Sequence, residues 1–151
     1  EYKTLGNKAP LLMSGAAAGK ALYVGAAGSA ANGTLITASM AQVWPYLPRS
    51  SAARKLDASL SHHIPPGGYN QALDDACGAA TVLTQAILRV GSNANAIQRS
   101  ILRTPTVACS GLYNYVKTKH VGLSASEVWL MKVVHGKFVP TKWSLAHSSA
   151  G

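Results

Sequence analysis

The sequence predicts an α/β fold, on three observations: a helix-to-strand connection at its start, a long amphipathic helix near its middle, and a β hairpin towards its end. Residues 1–7 read as the tail of a helix closed by Gly6, and the apolar run from Ala9 to Met13 is short enough for a buried strand. The clearest helix runs from about Asp74 to Val90, with Ala76, Ala79, Ala80, Leu83, Ala86, Ile87 and Val90 on one stripe. Val128 to Val134 and Lys137 to Val139 are β-rich, and His135-Gly136 between them reads as a tight hairpin turn.

The remaining elements follow in order. The small-residue tract from Ser14 to Asn32 sets Ala17, Ala21 and Leu22 on a short helical face, which Gly25, Gly28 and Gly33 break. Thr34 to Thr37 reads as a second buried strand. Trp44 to Pro48 is expected to be irregular because it holds two prolines, and Ser51 to Leu60 supports a modest helix. Pro65-Pro66-Gly67-Gly68 forms a turn before the long helix. Asp74 and Asp75 fall in that helix's first turn, where negative charge favours the positive end of its dipole, and Gly91 closes it. A second helix starts near Asn93, carries Ile97, Ile101 and Leu102, and stops at Thr104-Pro105. There is no internal repeat.

Composition limits the function. Only 13% of the 151 residues are charged, where about 25% is usual, so little charge is available for a free-standing surface. Hydrophobic residues at 48% argue against disorder. The net charge of +9 raises nucleic acid or anionic lipid as partners. The basic residues are scattered, however, as in Lys117 with Lys119 or Arg49 with Arg54 and Lys55, and no aromatic-basic RNA-binding motif accompanies them. A basic nucleic-acid-associated domain therefore remains an alternative carried by charge alone, and no nucleic-acid partner is expected. Cys77 and Cys109 lack any metal-ligand spacing; they are either a disulfide in an oxidising compartment or two buried thiols. No run of about 18 apolar residues is present, and residue 1 opens no signal peptide, so any leader is expected upstream.

The sequence offers little chemistry. The stretch from Gly15 to Lys20 is one residue too short for a phosphate loop, and Ala21 stands where Ser or Thr would hold magnesium. Gly25, Gly28 and Gly33 do not have dinucleotide-binding spacing. His62 and His63 are adjacent, which points them apart and suits no shared metal. His120, His135 and His147 have no carboxylate or serine partner in a recognisable motif. Asp74 and Asp75, as consecutive helical residues, diverge, and a dipole role suffices for them. The expectation is a protein with no catalytic residue, no metal and no cofactor.

The order of the pieces resembles the type I periplasmic solute-binding proteins of the branched-chain amino acid ABC transporter class, over nearly the whole chain. Gly6 to Met13 is similar to the strand those proteins place after a helix of lobe two, and Ser29 to Thr37 to their A-E-G-x-x-x-T strand entry. Cys77 to Ala80, Gln85 to Ile87 and Gly91-Ser92 resemble their long helix, and Ile97 to Leu102 the next one. Gly111 to Tyr113, Val121-Gly122 after His120, and Val133 to Pro140 resemble their closing sheet region.

The resemblance implies a two-lobed α/β fold, three-layered in each lobe and joined by a hinge, of which this chain is the C-terminal part: a fragment, a processed product or half of a split protein. It implies lobe-two strands and loops over residues 1–48, a hinge crossing with lobe-one helices over 49–104, a return crossing with the C-terminal hairpin over 105–143, and a tail over 144–151. The implied function is capture of a solute by hinge closure for an ABC permease of the inner membrane, in the periplasm or, in a Gram-positive cell, lipid-anchored outside the membrane. The N-terminal remainder of the binding protein is the other implied partner, and a ligand-sensing receptor of the same fold is the alternative within the family. Ser14, Gly15, Asn32 and Tyr69 are the implied ligand-binding residues. The solute implied is amino acid-like or, more so, a carboxylate, aromatic acid or amide, because amino-acid binders of the family carry an acid for the ligand's ammonium where Asn32 here is a neutral amide.

Overall fold

Alternation of buried and outward residues along one strand organises the main sheet. In the strand Trp129–Val134, Trp129, Met131 and Val133 are buried while Lys132 and Val134 point outward, the period of two expected of a strand with one face on a core. The computed structural model describes residues 5–15, 23–47, 54, 63, 71–119 and 121–148. The expected helix before Leu5, that over Ser51 to Leu60 apart from Arg54, the face of Ala17, Ala21 and Leu22, and the Pro65 to Gly68 turn lie outside the described residues.

Among the described residues six strands form two sheets. β1 (Leu12–Met13), β2 (Leu35–Ala38), β5 (Trp129–Val134) and β6 (Lys137–Pro140) make a four-stranded sheet in the order β1-β2-β5-β6. β1 runs parallel to β2, with Leu12 opposite Leu35 and Met13 opposite Ile36. β5 is antiparallel to β2, pairing Ile36 with Met131 and Ala38 with Trp129, and antiparallel to β6. The β5–β6 turn has positive φ at both His135 (48°) and Gly136 (71°), as a two-residue type I′ turn requires. β3 (Thr106–Ala108) and β4 (Gly111–Tyr113) form a separate antiparallel ribbon.

The α-helices bounded within the described residues are α1 (Gly25–Ala27), α2 (Gln71–Val90), α3 (Ala94–Arg103) and α4 (Lys142–His147). Gly25 thus lies inside a helical turn, continued by a 3-10 turn over Gly28–Ala31. The break comes at Gly28 and Gly33, with φ of 53° and 87°. Met40–Tyr46 is a 3-10 helix containing Pro45, regular where irregularity was expected; Met40, Val43 and Leu47 are buried along one side of it, so packing holds the turn. α3 begins as its sequence indicates, with the Asn93 side chain accepting the Ala96 amide at 3.0 Å. α4 spans the expected boundary between hairpin and tail. Thr141 caps it by accepting the Ser144 amide, and the buried Ser144 hydroxyl accepts the Leu130 amide of β5 at 2.7 Å.

α2 exposes the stripe expected to be buried. Its inward residues are Asp74, Gly78, Val82 and Ala86, spaced by four, whereas Leu83, Ile87 and Val90 are 47%, 40% and 40% exposed, and Ala76, Ala79 and Ala80 are exposed too. Gly78 faces inward because the Tyr113 hydroxyl lies 2.6 Å from where a Cβ would stand. Two groups of buried side chains make the core. One joins Met40, Val43, Leu47, Cys109, Trp129 and Met131; the other joins Val24, Ala31, Ile36 and Val133, and Phe138 packs on both.

Cys77 and Cys109 are joined in a disulfide, which ties α2 to the corner between β3 and β4; their Cα atoms are 5.8 Å apart, within the usual range. The bridge closes a loop over a sequence separation of 32, which restricts the unfolded chain. Replacing both cysteines by serine is expected to cost about 2–4 kcal/mol. Urea unfolding with and without dithiothreitol checks this: reductant should lower the wild-type midpoint and leave that of the double variant unmoved.

Candidate functional site

Because β1 and β2 are parallel and in register, their carboxyl ends open on the same side of the sheet, and a cleft of about 190 Å³ lies there. Gly15, just beyond β1, forms one wall. Its ideal Cβ position is 2.6 Å from Gln71 Oε1 and 3.0 Å from the Thr37 carbonyl oxygen, so only glycine admits the first turn of α2 this close to β2. Thr37, Ala38 and Ser39 supply the end of β2, and Gln71 and Asp75 the start of α2. Ser110 from the β3–β4 turn, and Leu123, Glu127 and Val128 leading into β5, are the other described residues that line it.

Polar contacts lock these pieces together. The Ser39 hydroxyl donates to Asp74 Oδ2 at the start of α2. The Ser110 hydroxyl donates to the Asp74 carbonyl oxygen at 3.1 Å and lies 3.4 Å from Asp75 Oδ1. Glu127 Oε2 accepts the Leu112 amide of β4 at 3.1 Å. Asp74 is 1% exposed, and burial pushes its carboxyl up from 3.8 to about 7, against the lowering effect of the Ser39 hydrogen bond and with the neighbouring Asp75 charge adding to the rise. The Tyr113 hydroxyl is also pushed up, chiefly by burial, with the Ser110 hydrogen bond opposing it and Asp75 adding to it.

Of the four residues implied by sequence, Gly15 lines this cleft and Ser14 is exposed beside it. Tyr69 lies outside the described residues. Asn32 is at the opposite end of β2, where its Oδ1 accepts the Gly136 amide at 3.4 Å, in a groove of about 350 Å³ that it shares with Asn7, Lys8 and Thr34. Sequence reasoning did not connect Ser39, Gln71, Ser110 or Glu127, which meet only in three dimensions. It did single out Asp74 and Asp75. They diverge as consecutive helical residues do, Asp74 into the interior and Asp75 outward along the cleft. Among the described residues no group of three or more His, Cys, Asp or Glu could hold a metal ion, and no helix is long and apolar enough to cross a membrane.

No family model and no curated protein matches the sequence. Solved structures do match the fold. An extracellular ligand-binding receptor from Rhodopseudomonas palustris HaA2 superposes with a TM-score of 0.76 at 20% identity, over 93% of this chain and 43% of that one. The leucine-binding protein LivK from Thermotoga maritima MSB8 gives a TM-score of 0.68 at 22% identity, over 92% and 38%. A type 1 periplasmic binding protein from Bordetella pertussis Tohama I gives 0.65 at 21% identity, over 93% and 41%. The fold is therefore that of a type I periplasmic binding protein. The chain corresponds to the C-terminal part, spanning 38–43% of the length of such neighbours.

The charge state of Asp74 predicts a pH dependence. Its folded-state value lies above its ordinary one, so between about pH 4 and pH 7 the folded chain keeps a proton that the unfolded chain has released. Its contribution to stability is therefore full below pH 4, falls as the pH rises through this window, and levels off above 7. Asp74→Asn keeps an acceptor for Ser39 and removes the titration. Urea unfolding from pH 4 to 8 should show wild type losing stability relative to the variant as pH rises; a constant difference would exclude it.

Proposed function

We propose that this chain is the C-terminal part of an extracytoplasmic solute-binding protein, and that it holds one side of a small solute in the cleft at the ends of β1 and β2 while catalysing nothing. The observation that carries the reading is the place of the cleft. Open α/β sheets bind ligands beyond the carboxyl ends of their strands, and here those ends are walled by α2, the β3–β4 turn and the approach to β5. The volume of about 190 Å³ falls short of the roughly 300–1,000 Å³ of ordinary ligand sites, as a half-site would. The same fold serves extracellular ligand-binding receptors and amino-acid-binding proteins of transporters.

In the full reading, residues 1–48 and 105–143 belong to lobe two and residues 49–104 cross the hinge to lobe one, so closing the hinge traps the solute and presents the closed form to an ABC permease. Gly15 and Ser14, with Tyr69 from the crossing, face the solute; Asn32, at the far end of β2, does not enter this proposal. The Cys77–Cys109 bridge supports an oxidising compartment, such as the periplasm or the outer face of a Gram-positive membrane. An N-terminal remainder supplies the other lobe.

Two measurements test this. Intact mass of the native protein should reveal a longer polypeptide or a stably bound second half. A panel of small solutes screened by thermal shift should yield at least one that stabilises the assembly, by about 2.7 kcal/mol at a hundred times its Kd. A monodisperse 151-residue chain that no solute stabilises would defeat the proposal.

A further inference from the structure

One residue is bonded to the cleft's walls from behind. Asp74, in the first turn of α2, is 1% exposed. Its Oδ2 is bonded to the hydroxyl of Ser39 at the end of β2, and its main-chain carbonyl oxygen accepts the Ser110 hydroxyl of the β3–β4 turn at 3.1 Å. Ser39 and Ser110 both line the cleft. The main chain of Ser39 is already engaged: its amide donates to Gln42 Oε1 at 3.1 Å, and its carbonyl oxygen accepts the Gln42 amide at 3.2 Å. Its half-buried hydroxyl is the polar group left to meet a solute.

A hydroxyl has one proton to donate and lone pairs to accept with, so what Ser39 gives Asp74 decides what it can offer the cleft. An ionised carboxylate only accepts; Ser39 then donates to Oδ2 and turns lone pairs to the cleft. A protonated Asp74 donates its own proton to Ser39 Oγ, and the serine O–H is released to the cleft. Both states are within reach near neutral pH, since burial pushes the Asp74 carboxyl up to about 7 against the lowering effect of Ser39, with the Asp75 charge adding to the rise. Among the described ionisable groups, Asp75 adjoins Asp74 on α2, Tyr113 faces it from β4, and Glu127 stands on the approach to β5. Arg89 lies against Thr106, and Arg99 and Arg103 of α3 are exposed.

We propose that the proton on Asp74 sets the hydrogen-bonding sense of Ser39, so that the cleft offers a solute an O–H donor when Asp74 is protonated and an oxygen acceptor when it is ionised. The proposal rests on the solute-binding reading and adds a pH-dependent choice of solute to it. Asp74 touches no solute itself; it is a positioning residue that acts through Ser39. A solute presenting a carbonyl oxygen is favoured on the acid side of neutrality, and one presenting an N–H on the alkaline side.

Two uncharged five-membered rings test this on the protein at its natural length: cyclopentanone, which only accepts, and pyrrole, which donates an N–H. Calorimetry at pH 5.5 and 8.5 should show the affinity ratio of cyclopentanone to pyrrole falling by roughly two- to tenfold as the pH rises. Asp74→Asn, which does not titrate, and Ser39→Ala should each make the ratio independent of pH, and Ser39→Thr, which keeps the hydroxyl, should restore the response. Carboxyl-carbon NMR of the solute-free protein should place the Asp74 midpoint near 7 and move it further up in Ser39→Ala, because the serine bond favours the charged form. A ratio that is flat in wild type, a response that persists in Ser39→Ala, or an Asp74 midpoint at its ordinary 3.8 would overturn the proposal. If neither ring binds while another solute of the wider panel does, this proposal fails and the solute-binding reading stands; if no solute of any kind binds, both fail together.

Discussion

The pairing of β2 with β5 is the contact on which the rest of the structure depends. Ile36 opposite Met131 and Ala38 opposite Trp129 join segments far apart in the chain, and the three large buried side chains among them close the core. The same register decides the site. With Ala38 level with Trp129, the residue after β2, Ser39, and the residues before β5, Glu127 and Val128, emerge at one edge of the sheet. A slip of one residue would turn Met131 and Val133 to solvent and carry Glu127 away from Ser39. Core and cleft are thus specified by one ladder of hydrogen bonds.

The second constraint is electrostatic. Taking a carboxylate out of water costs several kcal/mol after relaxation, and a hydrogen bond to a charged group returns about 1.5–3 kcal/mol. Asp74 receives such a bond from Ser39 but sits beside Asp75, so burial wins and the proton is held to about pH 7. Near neutrality much of Asp74 is therefore uncharged. It fastens the start of α2 to the end of β2 with a reduced electrostatic penalty.

Elements whose cause is local were legible in the sequence. The hairpin around His135-Gly136 follows from turn chemistry, α3 from its Asn93 cap and its Thr104-Pro105 stop, and the end of α2 from Gly91, whose amide reaches the Ile87 carbonyl at 2.8 Å. What depends on a distant neighbour was not legible. Periodicity put Ala79, Leu83 and Ile87 inside, but the inner face of α2 is chosen by Tyr113 and Ser110 crowding against Gly78. Met40–Tyr46 keeps a helical turn across Pro45 because Met40, Val43 and Leu47 have a core to enter. The likeness of Ser29 to Thr37 to a family motif located β2, which Asn32 precedes, while the cleft lies beyond the strand's other end. The disulfide required a distance between Cys77 and Cys109 that only folding supplies.

The two faces of α2 explain why the sequence pattern and the burial disagree. The inward face carries Asp74, Gly78, Val82 and Ala86, small enough for the β3–β4 ribbon to approach closely. The outward face carries Leu83, Ile87 and Val90, larger side chains that remain 40–47% exposed. Complete burial of one such side chain is worth about 1.5–3 kcal/mol, so a helix apolar on both faces draws its full stabilisation only between two packed layers. Low overall charge points the same way, since a chain with 13% charged residues has few groups with which to solvate a second apolar surface. The exposed face of α2 is what the proposed two-lobed architecture requires of a helix lying between this ribbon and the rest of a lobe.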